Sequence, residues 1–243
     1  MFKYHYDQRA YYNKSNMRYL TMVDLILFTT SIISAVFSYL AALIFFVLYL
    51  KEHKSNRFIW GIAFVLYGIG HTIVGAITMM ELPSTDPSYL VAMWVYVNLA
   101  GAGTTGLILY STFPFFTEKS LLREVITGIF FILYVGGSAL FAFVLPDENP
   151  LAFINPVIHS QLLNMSWWVV ELLIPVSFFI GIIFVRHFRI SGTIWGLLIG
   201  LSFIIYAIIL FIWPIAELKP LFYIVRTVSV TLLSVGGALL AKE

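Results

Sequence analysis

Cysteine is absent from the 243 residues, which excludes disulfides, thiol catalysis and cysteine-ligated zinc or iron–sulfur centres together. Charge is also scarce. Only 11% of the residues are Asp, Glu, Lys or Arg, less than half of the roughly 25% typical of a soluble domain. The formal charge is +2 and the basic residues are scattered, so nucleic acid is excluded as a partner. Lysine is missing from every long apolar run: Lys3, Lys14, Lys51, Lys54, Lys119, Lys219 and Lys242 fall in the tail, loops or termini. A retinal Schiff base therefore has no amine to form on. Of the histidines only His71 lies inside an apolar run, with His5, His53, His159 and His187 outside, so bis-histidine haem ligation cannot be assembled. One His and one Glu are too few for a catalytic zinc site. No Gly-rich phosphate loop follows a strand, and the only serines within conceivable reach of His71 are Ser31 and Ser34, a pairing that coordinates alone decide. The sequence thus predicts no cofactor, no metal and no enzyme.

What is abundant is hydrocarbon. The chain is 60% hydrophobic and 17% aromatic, with a mean hydropathy of +0.94, the composition of an integral membrane protein. A spanning helix needs about 20 predominantly apolar residues, and seven segments qualify, at 24–50, 58–80, 88–116, 125–145, 160–185, 193–215 and 220–241. Breakers lie between them: LPSTDP before the third, LPDENP after the fourth and AELKP before the seventh. The expected fold is all-α, an integral membrane bundle of seven transmembrane helices over residues 24–243. Residues 1–23 form a tail whose Tyr4, Tyr6, Tyr11, Tyr12 and Tyr19 suit the outer headgroup layer. The tail lacks the short apolar core of a cleavable signal.

Orientation follows from the loops. Lys51, Lys54 and Arg57, then Lys119 and Arg123, then Arg186 and Arg189, and finally Lys242 mark one side, while Glu81, Asp86, Asp147, Glu148 and Glu217 mark the other, with a single Lys219. The positive-inside bias predicts the N-terminus outside and the C-terminus in the cytoplasm. Lys3, Arg9, Lys14 and Arg18 in the tail point the other way, but seven spans force the two ends apart and the loops outvote the tail.

The stretch Gln161–Pro175 carries the clearest anomaly. Gln161, Asn164, Trp168, Glu171 and Pro175 recur at steps of three and four, one polar face on an otherwise apolar helix. Three ionisable residues sit deep within spans: His71, Glu171 and Arg226. At 1.5 Å per residue, all three fall roughly 9–15 Å below the outer surface, and Asn98 and Tyr206 join them. The expected site is therefore a ligand-binding or buried polar network of His71, Asn98, Gln161, Asn164, Trp168, Glu171, Tyr206 and Arg226. Arg226 is expected to pair with Glu171 or to hold an anionic ligand, and a purely structural ion-pair clamp is the plainer version of the same contact. Trp94, Tyr96, Trp167, Trp168 and Tyr206 either wall a pocket or belong to the core, while Trp60, Trp195 and Trp213 read as interfacial belt. Ser31, Ser34 and Ser38, the Gly61, Gly68 and Gly75 heptad, and NLAGAGTTG read as packing seams.

The stretch from Lys51 to Thr72, KEHKSNRFIWGIAFVLYGIGHT, joins a short basic turn to an aromatic and glycine-rich second helix. It resembles the seven-helix membrane input modules found ahead of histidine kinases and related signalling domains in bacteria and archaea. Rhodopsins share the architecture, but the retinal lysine is missing here. The resemblance implies a receptor or sensor in the cell membrane. The chain runs to Ala241, Lys242 and Glu243 without a kinase or other output domain, so signalling is expected to pass to a membrane or cytoplasmic partner protein. The other expected partners are the lipid bilayer and a small-molecule ligand. Two alternatives remain at this level: a transporter, channel or proton-relay subunit with Glu171 as its ion site, and a structural subunit of a membrane complex.

Overall fold

Hydrocarbon leaves no solvent for backbone N–H and C=O groups, so apolar segments of this length satisfy themselves as helices. The computed structural model describes residues 6–80, 87–144, 161–211 and 218–242, with side chains described for 24–80, 88–143, 168–211 and 218–242. Among them there are seven helical rods and no strand. They are α1 (Tyr6–Glu52), α2 (Ser55–Met79), α3 (Ser88–Phe115), α4 (Ser120–Phe143), α5 (Gln161–Ser191), α6 (Ile194–Leu210) and α7 (Lys219–Leu240). Six carry segments long and apolar enough to cross a membrane, and α6 is a shorter apolar helix. The chain is a helical, apolar bundle of the membrane type.

Hydroxyls inside these helices close on their own backbone. Thr30 Oγ1 donates to Ile26 O at 2.7 Å, Ser38 to Ser34 O at 2.7 Å, Thr78 to Val74 O at 2.8 Å and Thr231 to Thr227 O at 2.9 Å. Each bond goes back one turn, so a polar side chain is carried into an apolar setting without an open donor.

The α1–α2 and α5–α6 connections use the same two-residue turn. Each begins with a left-handed residue, His53 at φ 54° and Gly192 at φ 71°, whose N–H bonds back four residues to Tyr49 O at 2.7 Å and Phe188 O at 2.8 Å respectively. Each then passes through an extended residue, Lys54 or Thr193, before the next helix. Such short turns oblige α1 to pair with α2 and α5 with α6 as antiparallel neighbours.

The helices form a closed ring in chain order, with α7 packed against α1, and α3 also reaches α5. Small residues set the spacing. Gly61 faces Phe46, Gly68 faces Tyr39 and Gly75 faces Ile32, so the glycine heptad of α2 is a seam against α1, as its period predicts. Between α5 and α6 the backbones themselves meet: a Cβ on Gly200 would lie 2.9 Å from Gly181 O. The buried apolar core contains Phe45, Trp60, Phe64, Phe184, Trp195 and Ile199. Trp60 and Trp195 are thus core residues rather than the belt residues that their positions near helix ends suggest; Trp60 stacks on Phe45, and Trp195 packs against Phe184 and His187. Trp213 lies outside the described residues.

Helices α3 and α4 are not uniform. Val97–Gly103 in α3 and Ile132–Gly136 and Leu140–Val144 in α4 are wound as π-helix. Thr104, just past the first of these, donates to Leu99 O five residues back at 3.2 Å and to Ala63 O on α2 at 3.0 Å. Wide turns of this kind recur at functional sites, and Asn98 lies inside this one.

Candidate functional site

Four helices bring polar side chains to one buried centre. Arg226 is seven residues into α7, Ser31 seven residues after Asp24 on α1, Tyr96 eight residues after Ser88 on α3, and His71 eight residues before Met79 on α2. Because α2 runs opposite to α1, α3 and α7, all four side chains lie at one level, about 10–12 Å from the ends of the apolar spans on the side away from the basic loops.

Arg226 is only 2% exposed and His71 is fully buried. The guanidinium donates from Nη1 to the Tyr96 hydroxyl at 3.0 Å and from Nη2 to Ser31 Oγ at 3.5 Å. Its carbon stands 5.4 Å from the Tyr223 ring centroid and 5.9 Å from that of Phe222, within cation–π range. The His71 ring lies 4.4 Å from the Tyr67 ring and 5.5 Å, edge-on, from the Tyr96 ring. Thr227, next to Arg226, donates to Tyr223 O at 3.0 Å and to Thr30 O at 3.5 Å, fastening α7 to α1 at this level.

The cluster has polar atoms to spare. Arg226 Nε, both ring nitrogens of His71 and Ser34 Oγ are buried and have no hydrogen-bond partner among the described residues. No carboxylate pairs with Arg226 among them; Glu52 pairs with Lys54 (3.1 Å) and Arg57 (2.5 Å) at the far end of the bundle. A buried guanidinium in a low-dielectric interior is costly without a negative or strongly accepting partner. Chemically, this centre presents a positive charge and hydrogen-bond donors in an apolar interior.

The sequence-derived site is thereby divided. His71 and Arg226 converge on Tyr96, whereas Tyr206 packs against the apolar core. Asn98 does not join them: its amide donates to Trp94 O at 2.8 Å and to Ser138 Oγ at 3.2 Å, and Trp94 Nε1 donates to the same oxygen at 3.2 Å. That second cluster ties α3 to α4. Trp168 donates from Nε1 to Leu133 O at 2.9 Å and packs beside Gly137, where an added Cβ would overlap the indole. Gln161 and Asn164 lie on the α5 backbone, but their side chains, like that of Trp167, are outside the described residues.

The expected Glu171–Arg226 pair is the main correction. Glu171 is exposed on the outer face of α5, whereas Arg226 points inward from α7, so the carboxylate and the guanidinium are turned to opposite environments. Helical spacing defines a face without saying which way it turns, so the azimuth of the stripe could not be read from the sequence. Two contributors were read too modestly. Tyr96 is the guanidinium's acceptor rather than a pocket wall or core ring, and Ser31 is a ligand to Arg226 rather than only part of a seam. Their depth, counted from Ser88 and Asp24 as Arg226 is counted from Lys219, was the signal that could have found them.

Toward the basic-loop end, the interior holds the hydroxyls of Ser38, Ser202, Ser229 and Ser234 among apolar groups including Phe45, Phe64, Ile199 and Leu233. Among the described residues no buried carboxylate, lysine or histidine follows, and the next buried cation is Arg57, at the end of the bundle. There a cavity of about 390 Å3 opens beside Lys54, Arg57, Trp60 and Ser111, far from the Arg226 centre.

Comparison with known proteins adds no relative. No protein-family model matches the chain, nor does any curated protein or any solved structure.

Proposed function

We propose that the protein is a seven-helix receptor or sensor of the cell membrane, N-terminus outside and C-terminus cytoplasmic, that binds a small anionic ligand at Arg226, Tyr96, His71 and Ser31 and signals through a partner protein. The carrying observation is Arg226, only 2% exposed, with no carboxylate partner among the described residues. Arginine matches a carboxylate or phosphate with paired donors. Its unpartnered Nε–H and the one N–H of a neutral His71 imidazole supply what such a ligand accepts from. The Tyr96 and Ser31 hydroxyls accept from the guanidinium, and the Phe222 and Tyr223 rings stand beside it.

A pocket agrees with the interior better than a path. A proton or ion route requires titratable or coordinating groups to continue across the membrane, and beyond the Arg226 centre the interior turns to single hydroxyls and apolar packing. Binding, not catalysis, is the chemistry these residues offer. The receptor reading also agrees with the likeness of the Lys51–Thr72 stretch to prokaryotic input modules.

Reconstituted in lipid nanodiscs, the protein is expected to melt at higher temperature with acetate, succinate or phosphate and to be unaffected by ammonium or choline at equal ionic strength. Ligand at one hundred times its Kd stabilises by about 2.7 kcal/mol. Arg226→Gln removes the anion response. Equal stabilisation of wild type and Arg226→Gln by the same anions contradicts the assignment.

A further inference from the structure

Glu171 has lost its expected partner, and its position asks for another. Trp168, one turn before it, is fixed in depth by the bond from Nε1 to Leu133 O at 2.9 Å. Leu133 stands thirteen residues from Ser120 and ten from Phe143 along α4, about 20 Å and about 15 Å from the two ends. Glu171 is about 4.5 Å farther along α5 toward Ser191, so it lies near the middle of the bilayer core. A glutamate stem is too short to snorkel from there to either interface.

The neighbouring turn sharpens the problem. Pro175 is exposed on the same face of α5 as Glu171. Lacking an N–H, it leaves the carbonyl four residues back, that of Glu171 itself, without its helical bond. One outward face at mid-membrane thus presents a carboxyl group and an unbonded carbonyl, and lipid tails can satisfy neither. Ile182, two turns on, continues the exposed face as plain hydrocarbon.

The occupant must bring a donor and, preferably, a positive charge. A second copy of the chain related by a two-fold axis brings the same face, with no basic group to meet the carboxyl. We infer that the face of α5 around Glu171 and Pro175 docks a membrane-spanning helix of another protein that carries a lysine or arginine at mid-membrane. Charge complementarity and the freed carbonyl together specify that chemistry: an ammonium or guanidinium has donors enough for both acceptors. The inference shares no residue with the Arg226 site and stands or falls separately from it.

The test uses the full chain in liposomes with fluorescent polyleucine membrane-spanning peptides bearing a central Lys, Leu or Glu, read by energy transfer to the labelled protein. The Lys peptide is expected to associate at least about tenfold more tightly than the Leu peptide. Glu171→Gln and Glu171→Ala bring it down to the Leu level, and Pro175→Ala weakens it in part. The peptide series on wild type reads the preference whether or not a variant folds. Equal affinity for the Lys and Leu peptides overturns the inference, as does a Lys preference that survives Glu171→Gln. Glu171-dependent self-association that excludes the Lys peptide also overturns it and assigns the face to a second copy.

Discussion

At the scale of single residues, the fold rests its most expensive group, the Arg226 guanidinium, on weak acceptors. Tyr96 and Ser31 are neutral hydroxyls at 3.0 Å and 3.5 Å, and ring faces supply the rest. Removing the nearer hydroxyl with Tyr96→Phe is expected to lower stability by about 1.5–3 kcal/mol, the range for hydrogen bonds to charged groups, measured as resistance to unfolding in nanodiscs without ligand. Arg226→Met goes the other way. An apolar side chain of similar length removes an uncompensated charge, so ligand-free stability is expected to rise by about 1–4 kcal/mol while anion binding is lost. That opposition marks a functional residue, since a structural one loses stability when it is removed. His71 and Arg226 were legible as a site because ionisable residues in apolar runs are few. Which neighbour would answer them was not legible, since a serine in a small-residue seam and a tyrosine in an aromatic-rich helix look the same whether or not a guanidinium faces them.

At the scale of helices, contact distances between pairs are set by a few small side chains. The α5–α6 contact leaves 2.9 Å between a prospective Cβ on Gly200 and Gly181 O, and backbone cannot yield as a flexible side chain does. Gly200→Val is therefore expected to cost about 1–3 kcal/mol from overpacking. Gly128, where nothing lies within 4 Å of such a Cβ, tolerates the same change apart from helix propensity, and thermal melts of the two variants side by side check the contrast. Most helix positions follow from apolar length and breakers: the segments 24–50, 58–80, 88–116 and 220–241 differ from the observed spans by only a few residues. The π-wound turns in α3 and α4 had no such signal, since Val97–Gly103 reads as ordinary small-residue helix until its hydrogen bonds are traced. The orientation of α5 failed to show for a related reason. A stripe from Trp168 through Glu171 to Pro175 marks a face, and polar groups in membrane helices usually turn inward, but here Leu173 and Val170 claim the interior and the stripe is left outside.

At the scale of the whole molecule, ring closure from α1 to α7 and the segregation of basic loops to one end make a definite topological prediction. Because cysteine is absent, single substitutions report cleanly. With an impermeant maleimide on intact cells, Met80→Cys is expected to label directly, and Ser55→Cys and Lys242→Cys only after permeabilisation; the reverse pattern contradicts the N-outside reading. Within that frame, the central claim is that an anion completes the donor shell of Arg226. It is tested most directly on the atom that lacks a partner. In nanodiscs containing 15N-arginine protein, with the Arg226 Nε–H resonance assigned from its loss in Arg226→Gln, acetate titration at fixed ionic strength is predicted to shift that resonance saturably, while ammonium leaves it in place. An Arg226 signal unmoved by acetate, succinate and phosphate alike, in protein that melts cooperatively, would contradict it.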